Sequence, residues 1–235
     1  MTHLGTQNEN EVNSFRRIRK AIGVLALSFP ILLWLLSLIP FFKTNIQASI
    51  SHYYYTNFRD LFTGILCAIG LFLIRYKGHT NSNFFKNDRK LTNLAGFMAF
   101  GIALIPTAPA TCCHIVHTLI PLCFKWLGWI HYGFAAVFFV ALSIISINVF
   151  TIGQKQNKEL AKSIFNENNI YRTCGYIMLG LLILAPICEI FKCFNHSTLL
   201  FETLILIFFG ISWLIKGRIL GDKGKIGKLL YQELN

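Results

Sequence analysis

Charge is scarce in this chain, and acid is scarcer still. Only 14% of the 235 residues are charged, with 10 Asp and Glu against 22 Lys and Arg, whereas a soluble domain carries about 25% charged residues. That shortage excludes an ordinary soluble globular domain. Several sequence motifs are also missing: there is no Gly-x-Ser-x-Gly elbow, Walker A loop, dinucleotide fingerprint or His-Glu-x-x-His pair. Enzymes built on those motifs are excluded with them. What the chain has instead is apolar sequence: 54% of residues are hydrophobic and the mean hydropathy is +0.53.

The apolar residues fall into six runs near 21–42, 60–76, 91–108, 129–151, 173–191 and 199–217. Crossing a hydrocarbon core of roughly 30 Å takes about 20 apolar residues in a helix, and backbone amides in lipid must be satisfied within the segment. The expected fold is therefore all-α, a polytopic membrane protein with a six-transmembrane-helix bundle, and the run lengths argue against a β-barrel. Residues 1–20 are expected as an N-terminal arm, irregular over 1–14, with the bundle over 21–217 and a basic tail over 218–235. That tail, containing "KGKIGKLLYQELN", suits either an amphipathic surface helix or a solvated end. The stretch beginning "RRIRKAIGVL" is read as an uncleaved first span, because its apolar run is too long for a signal peptide and no small-x-small site follows.

A net charge of +12 would suggest nucleic acid in a soluble protein, but here its distribution points elsewhere. Arg16, Arg17, Arg19, Lys20, Arg75, Lys77, Lys86, Arg89, Lys90, Lys155, Lys158, Lys162, Arg172, Lys216, Arg218, Lys223, Lys225 and Lys228 all lie on one side of the six runs, leaving Lys43, Arg59, Lys125 and Lys192 opposite. The positive-inside rule then puts both termini in the cytoplasm of an inner or plasma membrane, with membrane lipids as partners and no nucleic acid. Loops 77–90 and 153–171 read as connectors. Trp34, Trp126, Trp129 and Trp213, with tyrosines 53–55, 132, 171 and 176, read as interfacial belts. Gly64, Ala68, Gly96, Gly101, Gly175 and Gly180 read as points of close helix approach. Helices three and five share a loose pattern, "GFMAFGIALIP" and "GYIMLGLLILAP", too short to define a repeat.

Sorting polar groups by side gathers them under the outer face. Three of the ten carboxylates, Asp60, Glu189 and Glu202, and five of the seven histidines, His52, His114, His117, His131 and His196, fall there. Polar groups at membrane depth are costly unless paired or facing water, so the clustering predicts an outward-opening polar cavity. In "SISHYYYTNFRDLFTG", Asn57 and Asp60 can cap the second span while Arg59 snorkels and the tyrosines sit among headgroups. Alternatively, Ser49, Ser51, His52, Arg59 and Asp60 surround a helix start able to hold a lipid phosphate. His131 is either a packing histidine or part of the pocket, its tautomer set if Asp60, Glu189 or Glu202 faces it. Glu189 and Glu202 flank a short loop and can approach each other, exposure at the loop ends being the default.

Among the cysteines, Cys112 or Cys113 with Cys123, and Cys188 with Cys193, are disulfide candidates on an oxidising outer side; Cys67 and Cys174 read as buried thiols. The "NHS" at 195–197 matches a glycosylation acceptor in a very short loop. His114-x-x-His117 beside Cys112 and Cys113 offers zinc-type donors, but the spacing fits no structural zinc module, so no metal is assigned. The central thirds of the spans lack an ionisable relay, which counts against a proton-coupled pump.

The loop Ser49-Ile50-Ser51 before span two, the Gly101 to Pro106 end of span three and "HYGFAAVFF" from His131 resemble a broad group of six-helix membrane proteins. The group contains an uncharacterised bacterial and archaeal family and, more distantly, the DRAM and GPI-anchor lipid-remodelling proteins. In that group the serine-led loop continues with an acidic residue and glycine; here His52 and tyrosines follow, and the acid comes at Asp60. The resemblance implies a lipid-linked role at the outer leaflet without a catalytic set. The leading expectation is an outer-leaflet polar pocket formed by Ser51, His52, Arg59, Asp60, His131, Glu189 and Glu202 that binds or helps process a lipid headgroup or amphipathic molecule. A metal-dependent intramembrane hydrolase and a structural or partner-binding subunit are the alternatives.

Overall fold

A computed structural model describes residues 2–76, 78–108, 126–152, 166–221, 226 and 230, with side chains from residue 12 onward. The described residues form six long helices and no strand: α1 Thr2–Ser37, α2 Arg59–Arg75, α3 Asp88–Leu104, α4 Leu127–Ile144, α5 Glu167–Ile190 and α6 Ser197–Lys216. A π-helical turn, Ile145–Val149, extends α4. Four helical stretches are long and apolar enough to cross a membrane: Val12–Ser37, Leu127–Val149, Glu167–Ile190 and Ser197–Lys216. At 17 residues each, α2 and α3 rise about 26 Å, slightly under the hydrocarbon thickness.

Each helix packs against its neighbours in sequence, and α6 returns against α1, so the six close into a ring. Glycines set how tightly neighbours approach. A Cβ on Gly70 would lie 3.0 Å from the Gly96 carbonyl oxygen, and one on Gly96 would lie 2.8 Å from that of Gly70. Gly23 and Gly210 form the same reciprocal contact between α1 and α6, and Gly175 meets the Ser143 carbonyl of α4. Gly101 faces the Phe134 ring. The expectation that Gly64 and Gly180 also serve this purpose is wrong, since nothing lies within 4 Å of a Cβ at either.

The irregular arm expected over 1–14 is also corrected, because α1 begins at Thr2. Phe15, Ile18 and Ile22 continue the apolar stripe of the first span by one turn each, which carries the helix past the bilayer segment. Phe15 packs edge-on against Tyr76 with ring centroids 6.2 Å apart, and Arg19 donates to the Tyr76 hydroxyl.

Around Tyr76 the ring is tied by a buried polar cluster, here called the Asp88 end. Asp88 and Glu167 are the first residues of α3 and α5, where a carboxylate suits the positive helix end. Each follows an asparagine cap: Asn87 accepts from the Lys90 amide at 3.0 Å and Asn166 from the Asn168 amide at 2.8 Å. Tyr171 donates to Glu167 at 3.1 Å, and Lys216 Nζ donates to the Phe150 carbonyl at 2.7 Å. The rings of Tyr76, Phe150 and Phe209 enclose Trp213, whose centroid lies 5.7, 5.2 and 5.8 Å from theirs. Trp213 and Tyr171 are thus core residues rather than belt anchors, as are Tyr53 and Tyr54. Trp34, Trp126, Trp129, Tyr132 and Tyr176 are exposed, as a belt requires.

Candidate functional site

The opposite end of the ring is organised by a helix stop. Pro106 disfavours helical geometry in the residue before it, and Ile105 is accordingly extended at φ −103, ψ 106, ending α3. The Ile105 and Thr107 carbonyls, released from any helical ladder, are taken up by side chains. His131 Nδ1 lies 2.6 Å from the Ile105 oxygen, and the Tyr55 hydroxyl donates to the Thr107 oxygen. Burial and the neighbouring Tyr54 push the Tyr55 phenol above its ordinary pKa, keeping it a neutral donor.

Because a carbonyl can only accept, Nδ1 of His131 carries the proton, and in the neutral ring Nε2 is left as an acceptor. Ser51 Oγ lies 2.9 Å from that Nε2. The imidazole is 1% exposed and Ser51 9%. A serine hydroxyl therefore donates to a buried imidazole whose other nitrogen is fixed by the end of a neighbouring helix.

Ser51 opens a 3-10 turn, Ser51–Tyr55, and the amide of the preceding Ile50 points at Glu202 on α6. The Ile50 N–H donates to Glu202 Oε2 at 2.5 Å. The anion-binding position expected at this loop does exist, but the protein's own carboxylate fills it. Glu202 is consequently not the exposed loop-end group expected by default. Further bonds hold the loop to α6: the Leu199 amide donates to Ala48 O at 3.0 Å, and His196 Nδ1 lies 3.1 Å from Gln47 O. Ser49 Oγ accepts the His52 amide at 3.1 Å and lies 2.6 Å from His52 Nδ1. Burial holds the His52 imidazole below its ordinary pKa, partly offset by the charge of Glu189.

Ser51 and Glu202, with Ile50, form the polar lip of a cavity of about 40 Å³ inside the ring. Its remaining wall is apolar: Phe29 of α1, Phe62 and Leu66 of α2, Ile102 of α3, Phe138 and Phe139 of α4, and Leu206 of α6 among others. That volume has room for water or a methyl group and lies well below that of ligand-sized cavities.

Comparison with known proteins gives no match, whether to family models, curated proteins or solved structures. The site must therefore be read from its own geometry.

Of the residues expected to meet, the structure brings together Ser51, His131 and Glu202, with His52 and Glu189 alongside. Asp60 does not join them. It is exposed on the first turn of α2, and His131 is oriented by a backbone carbonyl instead of any carboxylate. Nor does Asn57 cap α2, since Phe58 occupies the cap position and Asn57 donates to Phe42 O at 2.9 Å. Arg59 lies over the Tyr54 ring, 5.4 Å from its centroid, and bonds its hydroxyl, away from the cavity wall. Glu189 is exposed and accepts from Thr198 Oγ1 at 2.5 Å. Cys188 and Cys193 are free thiols in hydrogen-bonding contact, as are the separate thiols of Cys67 and Cys174 free. Cys112, Cys113, Cys123, His114 and His117 lie outside the described residues. Among the described residues no group of three His, Cys, Asp or Glu gathers as a metal site.

The Asp88 end was missed by sequence reasoning, which treated loops 77–90 and 153–171 as connectors. A signal was available: Asn87-Asp88 and Asn166-Glu167 repeat the same asparagine-then-acid pair directly ahead of two apolar runs. Among the described residues, Asp88 Oδ1 and Trp213 Nε1 are buried there without a hydrogen-bond partner. Gly78 makes room for the Asp88 carboxyl, since a Cβ at that position would lie 2.2 Å from Asp88 Cγ.

Proposed function

We propose that the chain is a six-span membrane protein with both termini in the cytoplasm, whose Ser51–His131–Glu202 end faces the outer leaflet and binds an amphipathic molecule. The polar head sits against Ser51 and Glu202, at the mouth of the small apolar cavity between Phe62, Ile102 and Phe138. One observation carries this reading: Ser51 of the loop and Glu202 of α6 meet at the lip of an otherwise apolar cavity inside a helix ring, and His131 of α4 is hydrogen-bonded to Ser51. Ring closure supports six spans, because α2 and α3, slightly short by themselves, pack between α1 and α4. The basic excess on the Asp88 side supports the orientation.

Lipid extraction and native mass spectrometry of the purified chain test the proposal against Ala135→Phe, which adds a ring to the cavity wall. Wild type is expected to carry a bound amphipath, and the variant is expected to lose most of it while keeping its elution profile. Equal lipid content in the two folded proteins overturns the reading.

A further inference from the structure

We propose that a second site, at the Asp88 end of the ring, holds the phosphate of an anionic phospholipid headgroup. A cleft of about 660 Å³ opens there between the loop before α3, the π-helical turn after α4, and α5. Unlike the small cavity beside Ser51, it falls within the range of ligand-sized cavities. Among the described residues its wall carries two cations, Lys86 and Arg172, and no carboxylate. The acids that open α3 and α5, Asp88 and Glu167, are buried in the ring instead. Lys86 and Arg172 are exposed, so an anion reaches both without any rearrangement of the core.

Local structure explains why these groups meet. Arg172 and Tyr176 are four residues apart on α5 and share one face of it. Gly175 lets α5 close on the π-helical turn, since a Cβ there would lie 2.4 Å from Ile147 Cγ1. The turn adds Ile147 and Asn148 to the wall, and π-helical turns recur at functional sites. The short turn Phe84–Lys86 packs against the same π-helical turn and so brings Lys86 to the cleft. Asn81 Oδ1 accepts the Asn83 amide at 2.9 Å, which leaves its NH2, a donor, as what it adds to the wall. A phosphate needs both charge and donors: the planar guanidinium of Arg172 matches two of its oxygens, and Lys86 supplies a point charge. The surroundings favour a lipid over free phosphate. Phe84, Phe85, Ile152 and Tyr176 are exposed around the cations, an apolar and aromatic rim suited to the acyl chains below a headgroup. Basic pockets between helices at a membrane surface take anionic headgroups in this way.

The test titrates the full chain in neutral detergent with palmitoyl-oleoyl phosphatidylglycerol or the matching phosphatidylcholine, read by native mass spectrometry. Wild type is expected to bind phosphatidylglycerol more tightly than phosphatidylcholine. A membrane-surface cation contributes about fivefold, so Lys86→Gln with Arg172→Gln is expected to weaken phosphatidylglycerol binding about 25-fold and to erase the preference. Arg89→Gln with Lys90→Gln removes the same charge from exposed positions of α3 outside the cleft and is expected to change little. No preference in wild type overturns the site, and equal losses in the two double variants overturn the cleft in favour of diffuse surface charge. Millimolar inorganic phosphate is expected not to compete; competition that disappears in the Lys86 and Arg172 variant overturns the lipid and leaves free phosphate as the ligand. Ala135→Phe, at the other end of the ring, is expected to leave this preference intact, so the two sites stand or fall separately.

Discussion

Removing the Glu202 carboxylate strands a backbone amide that has little access to water. Ile50 is 4% exposed, and its N–H ends on Glu202. A buried donor left unpaired costs about 1–3 kcal/mol, so Glu202→Ala is expected to destabilise by about that amount, towards the lower end if water enters the adjoining cavity. Glu202→Gln keeps an acceptor oxygen for that amide and loses only the charge, so about 1 kcal/mol or less is expected. The ordering wild type, Gln, Ala is thus set by counting acceptors. Denaturant titration in mixed micelles measures the free energies, and hydrogen exchange at Ile50 reports whether the loss is local to this loop. Glu202→Ala within about 0.5 kcal/mol of wild type, with that amide still protected, would refute the bond from Ile50 to this carboxylate.

The glycine contacts make a paired prediction: Gly96→Ala, with its Cβ 2.8 Å from a backbone oxygen, is expected to cost about 1–3 kcal/mol, while Gly64→Ala, facing open space, is expected to be neutral or stabilising by up to about 1 kcal/mol. The same micelle titration compares them, and equal effects would show that α2 and α3 do not cross at Gly70 and Gly96. For His52, the folded-state pKa lies below the ordinary 6.5, so the unfolded chain binds the proton more readily and stability rises with pH between the two values. This contribution is complete above about pH 6.5 and is lost as pH falls towards the folded value; His52→Asn is expected to flatten that slope. Thermal stability of both proteins at several pH values checks it, and parallel profiles would show that His52 is not buried against Ser49.

The four apolar spans, Val12–Ser37, Leu127–Val149, Glu167–Ile190 and Ser197–Lys216, were legible because lipid imposes a demand that composition alone can meet: a helix with no polar backbone to spare must carry apolar side chains along its length. Positions of aromatic residues were less legible. Trp213 and Tyr171 sit at span ends just as Trp129 does, yet the first two face the ring and the last faces outward. Sequence gives depth along a helix, whereas burial depends on rotation, and rotation is fixed by neighbours such as Gly210 against Gly23. For the same reason Gly64 and Gly96 look alike in sequence and differ in contact.

The site shows where the limit lies. His131, Ser51 and Glu202 could each be singled out from their chemistry and their expected side of a membrane, but the partners of each are remote: Ser51 and His131 are 80 residues apart, and Ile50 and Glu202 are 152 apart. Asp60 was the nearer candidate for both roles in sequence, and it fails because it lies on the exposed face of the first turn of α2, whose buried face carries Phe62. The group that orients His131 is a backbone carbonyl, invisible to any reading of side chains, and it is available only because Pro106 ends α3 one residue later. Proline in that position therefore acts at a distance, since it frees the oxygen that fixes an imidazole on the next helix, which in turn fixes the direction of the serine hydroxyl at the cavity lip.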